Sequence, residues 1–350
     1  MSHLDILIPF SLPSAALGPD LLRSMQTPAL ALLLGRSQPH QHHIQDAFAR
    51  ALPHESWLAD AFDVPMDAAS SSSPPIVLHA MRGLGVGTTQ GSWFVLNPVH
   101  LHIARDHLVM TDQRRLDLAP ADSRELFAIA ESVFAEHDKQ LVYGDATHWF
   151  LRADSWRDLQ TATPDVTCGH NIDIWMPRGS SERDWRKAHN EIQMHWHAST
   201  INQQRTEHSQ LPVNALWLWG GTTAPVRPLK SCYGAGFNLP GWINEVGALE
   251  WDSQDNASAE EVIMAGDAHS LLQLDDLMAP AIADDMSEWL LRMHALEQAW
   301  FAPLLQALQQ GTLERCRLIL THGTVTTVVP VTRNGLRRFW KKPSLQGLLE

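Results

Sequence analysis

Cysteine is scarce in this chain. Its 350 residues include three, Cys168, Cys232 and Cys316, far apart and forming no CxxC unit. That excludes a disulfide framework and a cysteine-based zinc site, and it fits a reduced, cytoplasmic compartment. Positive charge is also short: 26 Lys+Arg stand against 39 Asp+Glu, a formal net charge of -13. Binding to a phosphate backbone rests on Lys and Arg displacing counterions, so nucleic acid is not an expected partner. No apolar run approaches the roughly 20 residues of a membrane span, and no membrane partner is expected. The stretch from Met1 to Leu12 lacks a basic n-region and carries Asp5, so it does not read as a signal peptide. Also missing are a GxSxG elbow, a Gly-Lys-Ser/Thr phosphate loop and an HExxH zinc motif.

What is present is a large apolar content: 44% hydrophobic residues and 14 Trp, against only 2 Tyr. This supports a sizeable core, with tryptophan as packing rather than as a stacking platform. The length suits two domains, or one domain with an insertion. The segment Leu4 to Phe10 reads as a strand, and Leu21 to Leu34 has helical character. Four serines ending at Ser73 read as a linker. A strand-rich region, Trp93 to Met110, is expected to turn near Asn97-Pro98, and Asp122 with Glu125 forms a capping-box pattern. A helix is expected from about Ser181 to His197, with Trp185, His189, Ile192 and Trp196 on one face. The apolar run Asn214 to Gly220 suits a strand covered on both faces, as in a parallel sheet. A helical stripe runs from Met286 through Trp289, Met293, Leu296 and Trp300 to Leu304, followed by two strands, Cys316 to Thr321 and Thr324 to Val329. The alternation implies an α/β layered fold.

Certain stretches resemble a known family. His195 to Arg205, followed by Leu211 to Gly221 with its Asn-Ala-Leu-Trp-Leu-Trp-Gly core, is similar to the Trp-rich signature of archaeal-type, cofactor-independent phosphoglycerate mutases. Asn97 to Leu101, Arg105 to Leu108 and Arg337 to Trp340 resemble the bacterial RpfE-type regulatory subgroup. The resemblance implies an alkaline-phosphatase-like α/β core, residues 1–90 and 212–345, with an inserted α+β domain at 91–211. It also implies two divalent metals and a serine nucleophile, and there the residues depart from it. No Asp-Gly turn follows the opening strand, which runs on into Ser11-Leu12-Pro13. Asp275 and Asp276 lack the following His, and Thr321-His322-Gly323-Thr324 lacks the family's Asp.

Two divalent ions bring four positive charges that carboxylates must largely neutralise. The expectation is therefore a non-catalytic regulatory or binding protein, with no cofactor and a protein partner not named by the sequence. Asn202, Arg205 and Asn214 are its candidate anion-binding residues, since a guanidinium grips carboxylate or phosphate bidentately; the competing role is to tie the insertion to the core. The alternative is a metal-dependent phosphoglycerate mutase or phosphomonoester-processing enzyme whose Mn- or Zn-type site is rebuilt from Asp106, His107, Asp267, His269 and His322.

Overall fold

The computed structural model describes residues 3–14, 16–65, 72–245, 257–265 and 269–349. The chain divides into two compact units, Met1–Ala47 with Lys230–Pro240 and Val246–Glu350, and Phe48–Leu229 with Gly241–Glu245. Each is described by itself.

In the first unit, β1 (His3–Ile8) lies centrally in a six-stranded sheet. The other strands are β2 (Gln41–Ile44), β9 (Ala235–Phe237), β10 (Ser270–Gln273), β11 (Arg315–His322) and β12 (Val325–Thr332), in the order β2-β12-β11-β1-β10-β9. β9, β10, β1 and β11 run parallel, while β12 and β2 add an antiparallel edge. Strand alternation divides β1 between two faces. Leu4, Ile6 and Ile8 join a core with Leu272, Leu318, Leu320, Val329 and residues of the flanking helices. His3, Asp5 and Leu7 point the other way. The expected stripe is a long helical stretch, Met286–Leu296 and Ala302–Gln310, joined through a π-helical segment at Glu297–Phe301. Glu297 is buried there, and its carboxylate accepts from the amides of Ala29 (2.6 Å) and Leu30 (3.1 Å), at the start of helix Pro28–Gly35. An acid at a helix N-terminus meets unsatisfied N–H donors and the positive end of the dipole.

In the second unit, β3 (Ser92–Val99), β6 (Gln140–Tyr143), β7 (Trp149–Arg152) and β8 (Ala215–Thr223) form an antiparallel sheet in the order β6-β7-β3-β8. β4 (Leu101–Ala104) and β5 (His107–Met110) make a separate hairpin. Helix Glu182–His197 buries Trp185, His189, Ile192 and Trp196, the face the sequence indicates. Trp149 meets Trp196, and Trp156 meets Trp185, edge to face with centroids 5.9 and 5.8 Å apart. This geometry suits the aromatic quadrupole.

Several sequence expectations need correction. The Trp-rich strand β8 is antiparallel to β3 and belongs to this sheet, not to the parallel one. Its unbroken apolar run records cover on both faces, which an antiparallel sheet can also have. Asn97 and Pro98 lie inside β3, opposite Trp217 and Leu216, with no turn. Helix Pro120–Glu136 begins at its proline, so Asp122 sits in the first turn and does not cap. Ser72 and Ser73 do not float. Ser73 Oγ lies 2.8 Å from Thr161 Oγ1 and accepts from the Gly220 amide, while Ser70 and Ser71 fall outside the described residues.

Candidate functional site

The three expected anion binders are taken up by backbone. Asn202, buried on helix Thr200–Glu207, donates to the carbonyls of Trp196 (2.9 Å) and Val213 (2.7 Å) and accepts from the Val213 amide (2.8 Å). Asn214 pairs with both backbone groups of Leu101, each at 2.7 Å. Arg205 is 2% exposed, and its guanidinium donates to the carbonyls of Leu211, Asp117 and Leu116 and to the Asp122 carboxylate. With their donors and acceptors so used, these side chains fasten the second unit internally and present no open grip to an anion.

Among the described residues, the alternative metal ligands form no shared group within either unit. Asp106 and His107 form an exposed pair at the tip of the β4–β5 hairpin, 3.0 Å apart. Asp267 lies outside the described residues. His322 ends β11, and its Nδ1 is buried with no hydrogen-bond partner; its ring meets Phe10 edge-on at 6.0 Å. His269 joins a different group, around Asp5.

Asp5 is fully buried in β1. The Arg317 guanidinium, projecting from the adjacent strand β11, reaches both of its oxygens, through Nε at 2.7 Å and through the second nitrogen. Tyr233 donates its hydroxyl at 2.9 Å, and His269 Nε2 lies 3.1 Å away. His3 Nε2 sits 3.0 Å from the other oxygen. Burial alone would raise the Asp5 carboxyl; Arg317 and His3 more than offset it and hold the group well below the ordinary carboxylate range. Tyr233 is pushed upward by burial and by the Asp5 charge.

His3, Asp5 and His269 have donor atoms within 4.8 Å of one another. Two features oppose a shared ion. Arg317 already supplies the positive charge. The imidazoles also stack, with centroids 4.1 Å apart and planes 5° from parallel, and a coordinated ion must lie near the plane of each ring. Parallel planes cannot both contain it.

The second unit has its own group. His54 and Glu55 open helix Pro53–Ala61, and Asp165 lies in the first turn of helix Pro164–Thr167. Their donors also fall within 4.8 Å. Glu55 Oε2 accepts from the Leu52 amide and the Thr163 hydroxyl, both at 2.7 Å. Arg114 holds both oxygens of Asp165 (3.2 and 2.9 Å) and also grips Asp112. Burial, and then the Asp165 charge, push the Glu55 carboxyl well above its usual value, and burial takes His54 down to about 4.

Of these two groups the sequence singles out only His269, as a candidate metal ligand, and neither group as a whole. The available signal for a buried group was Asp5, a charge inside the apolar strand His-Leu-Asp-Ile-Leu-Ile; a buried charge needs partners. Nothing in the spacing of Tyr233, His269 and Arg317 marks them as those partners.

No protein-family model matches the chain. A probable 2,3-bisphosphoglycerate-independent phosphoglycerate mutase of Geobacter sulfurreducens is 25% identical over 150 residues, 42% of this chain and 37% of that protein. The chain is similar to phosphoglycerate mutases. The match thus spans little more than a third of that relative's length. Among solved structures, the PH0037 protein of Pyrococcus horikoshii is similar in fold, with a TM-score of 0.50 and 13% identity over 95% of this chain and 87% of that one. A cofactor-independent phosphoglycerate mutase from Thermoplasma acidophilum aligns over 99% of this chain and 93% of its own, with a TM-score of 0.40 and 13% identity. Among the described residues, no helix is long and apolar enough to cross a membrane.

Proposed function

We propose that this chain keeps a phosphoglycerate-mutase-like, alkaline-phosphatase-like scaffold without its two-metal phosphoryl-transfer site, and acts as a non-catalytic binding or regulatory protein of the RpfE type. Ligands on such a sheet belong at the carboxyl ends of the parallel strands. The observation that carries the proposal is what stands at that edge. β1 passes into Phe10 and Ser11; the Ser11 hydroxyl is turned back to donate to the Ile8 carbonyl at 2.6 Å, and the Phe10 carbonyl accepts from Trp289 Nε1 at 2.9 Å. After β10 come Asp275 and Asp276, both exposed. His322 is the last residue of β11. Among the described residues, this donor set does not fit two divalent ions, whose charge needs several converging carboxylates. The buried acid Asp5 lies within β1, matched to Arg317, and is no substitute. Regulation would then act through a protein partner, and a cytoplasmic location suits the reduced cysteines.

A second reading, a rebuilt phosphomonoester-processing site with Mn or Zn, is favoured by the unpartnered Nδ1 of His322 at the same edge. One experiment separates the two. Chelator-stripped protein is re-equilibrated with Mn²⁺ or Zn²⁺, bound metal is counted, and the loaded protein is assayed for mutase and phosphatase turnover. The proposal expects fewer than two tightly held ions and no turnover. Two ions with turnover abolished by His322→Ala would overturn it.

A further inference from the structure

The charge of this chain is unevenly placed. From Arg315 to Leu349 there are seven Lys and Arg and not one Asp or Glu, so all 39 acids lie elsewhere, against 19 basic residues. Five of the seven, Arg333, Arg337, Arg338, Lys341 and Lys342, surround Phe339 and Trp340. These two aromatics are 80% and 68% exposed. They touch each other edge to face, with centroids 5.2 Å apart.

The sequence alone suggests a solvated basic tail here, but the segment is held in place. Thr332 Oγ1 accepts from the Gly335 amide and caps the helical turn Arg333–Leu336. Successive amides then close turns, Arg338 to the Gly335 carbonyl at 3.0 Å and Lys341 to the Arg338 carbonyl at 2.9 Å. Arg36 donates to the carbonyls of Leu336 (2.9 Å) and Lys341 (3.4 Å), and the Ser344 amide reaches the Ala31 carbonyl at 2.9 Å. Gly35 packs so closely that an added Cβ would lie 2.5 Å from the Lys342 carbonyl oxygen. Two large aromatic side chains are thus presented to solvent from a fixed turn and flanked in sequence by cations, of which Lys341 donates to the Ser37 carbonyl (3.4 Å) and Arg333 to the Gln310 carbonyl (3.5 Å) while Arg337 and Lys342 stand exposed.

We propose that this turn docks the protein on an anionic lipid surface, with Phe339 and Trp340 seated at headgroup level and the surrounding Lys and Arg side chains on lipid phosphates. The charge is complementary, and aromatic rings with basic neighbours are the side chains that settle at such an interface. The mode needs no spanning helix, so the lack of a long apolar run does not bear on it. A single-stranded nucleic acid fits less well. The two rings are 84° apart, and perpendicular rings cannot both lie flat on successive bases that stack in parallel. The inference is independent of the functional reading above.

The test is co-sedimentation of the full chain with vesicles of phosphatidylcholine alone, or mixed equally with phosphatidylglycerol. The wild type should pellet with the mixed vesicles only, and high salt should release it. Phe339→Ser with Trp340→Ser should abolish pelleting. Arg337→Glu with Lys342→Glu should weaken it by more than about 25-fold, since each cation near an anionic leaflet strengthens binding about fivefold and each new carboxylate is repelled by it. All four positions are exposed, so both variants should unfold at the wild-type midpoint; a matching midpoint shows that the fold is intact. Failure to pellet with the mixed vesicles would overturn the proposal. So would pelleting that survives both double variants, or salt-sensitive binding to a single-stranded oligonucleotide without binding to vesicles.

Discussion

Asp5 and Glu55 are both enclosed acids with an arginine and a histidine close by, yet one is held ionised and the other is driven toward its neutral form. Burial acts on them in the same direction, so it does not separate them. The count of neighbouring charges does. Asp5 has Arg317 to itself, with His3, His269 and Tyr233 supplying further contacts and no second acid in the group among the described residues. Glu55 faces Asp165, and the guanidinium that could compensate, Arg114, is already shared between Asp165 and Asp112. Two carboxylates that compete for one cation cannot both ionise cheaply. A cluster of acids and histidines therefore says little about chemistry until its cations are counted. That is why the Asp5 group reads as a structural knot despite holding three metal-type donors.

The sharpest way to break this comparison is to remove the cation that makes Asp5 different. Arg317→Met would leave a buried carboxylate unpaired. Breaking a fully buried pair costs about 3–5 kcal/mol. The Arg317 side chain is 39% exposed, so solvent tempers the loss, and a fall of about 2–3 kcal/mol at neutral pH is expected by denaturant titration. Adding Asp5→Asn should restore part of it. Because the folded-state carboxyl is depressed, its stabilisation is present above the ordinary Asp range and is lost as pH falls below it. The Asp5→Asn protein should accordingly show a shallower acid limb than the wild type. An unchanged midpoint for Arg317→Met would mean that the histidines and Tyr233 suffice.

Glu55→Gln tests the other side and should shift stability the opposite way. The folded-state carboxyl is raised, so the folded protein binds more protons than the unfolded chain. Stability is then lost as pH climbs from about 4.5 toward and past neutrality. Glutamine keeps an acceptor for the Leu52 amide and the Thr163 hydroxyl but cannot ionise. We expect a gain of about 1–2 kcal/mol at neutral pH, together with a flatter pH profile. A loss of stability would show that Glu55 is charged and favourably placed.

Much of the fold was legible where a single period governs a segment. The face of helix Glu182–His197, the stripe after Met286 and the strands β11 and β12 all follow local burial patterns. Pairing was not legible. An apolar strand covered on both faces reads the same in a parallel or an antiparallel sheet, so β8 was placed with the wrong partners. The candidate site fared similarly. Asn202, Arg205 and Asn214 stand out by residue type, but their partners are mostly backbone groups, which sequence does not distinguish. Asp5 was visible as a charge in an apolar strand, whereas Arg317, 312 positions away, was not.

A smaller effect would sharpen the comparison further, because each acid group has a buried cysteine beside it. Cys316 pairs in register with Leu4, next to Asp5, and burial pushes its thiol up to about 12. Cys168 lies near Asp165, and burial with the nearby acids raises its thiol further still. Cys232 is exposed. Since thiolate is the reactive form, a disulfide reagent should modify Cys232 at once and the other two only through opening. The two slow rates then report local stability in each unit separately. Arg317→Met should hasten modification of Cys316 while leaving Cys168 near its wild-type rate, and Glu55→Gln should slow Cys168 alone. If either substitution moved both rates together, opening would be global, and the two acid groups could not be compared as independent sites.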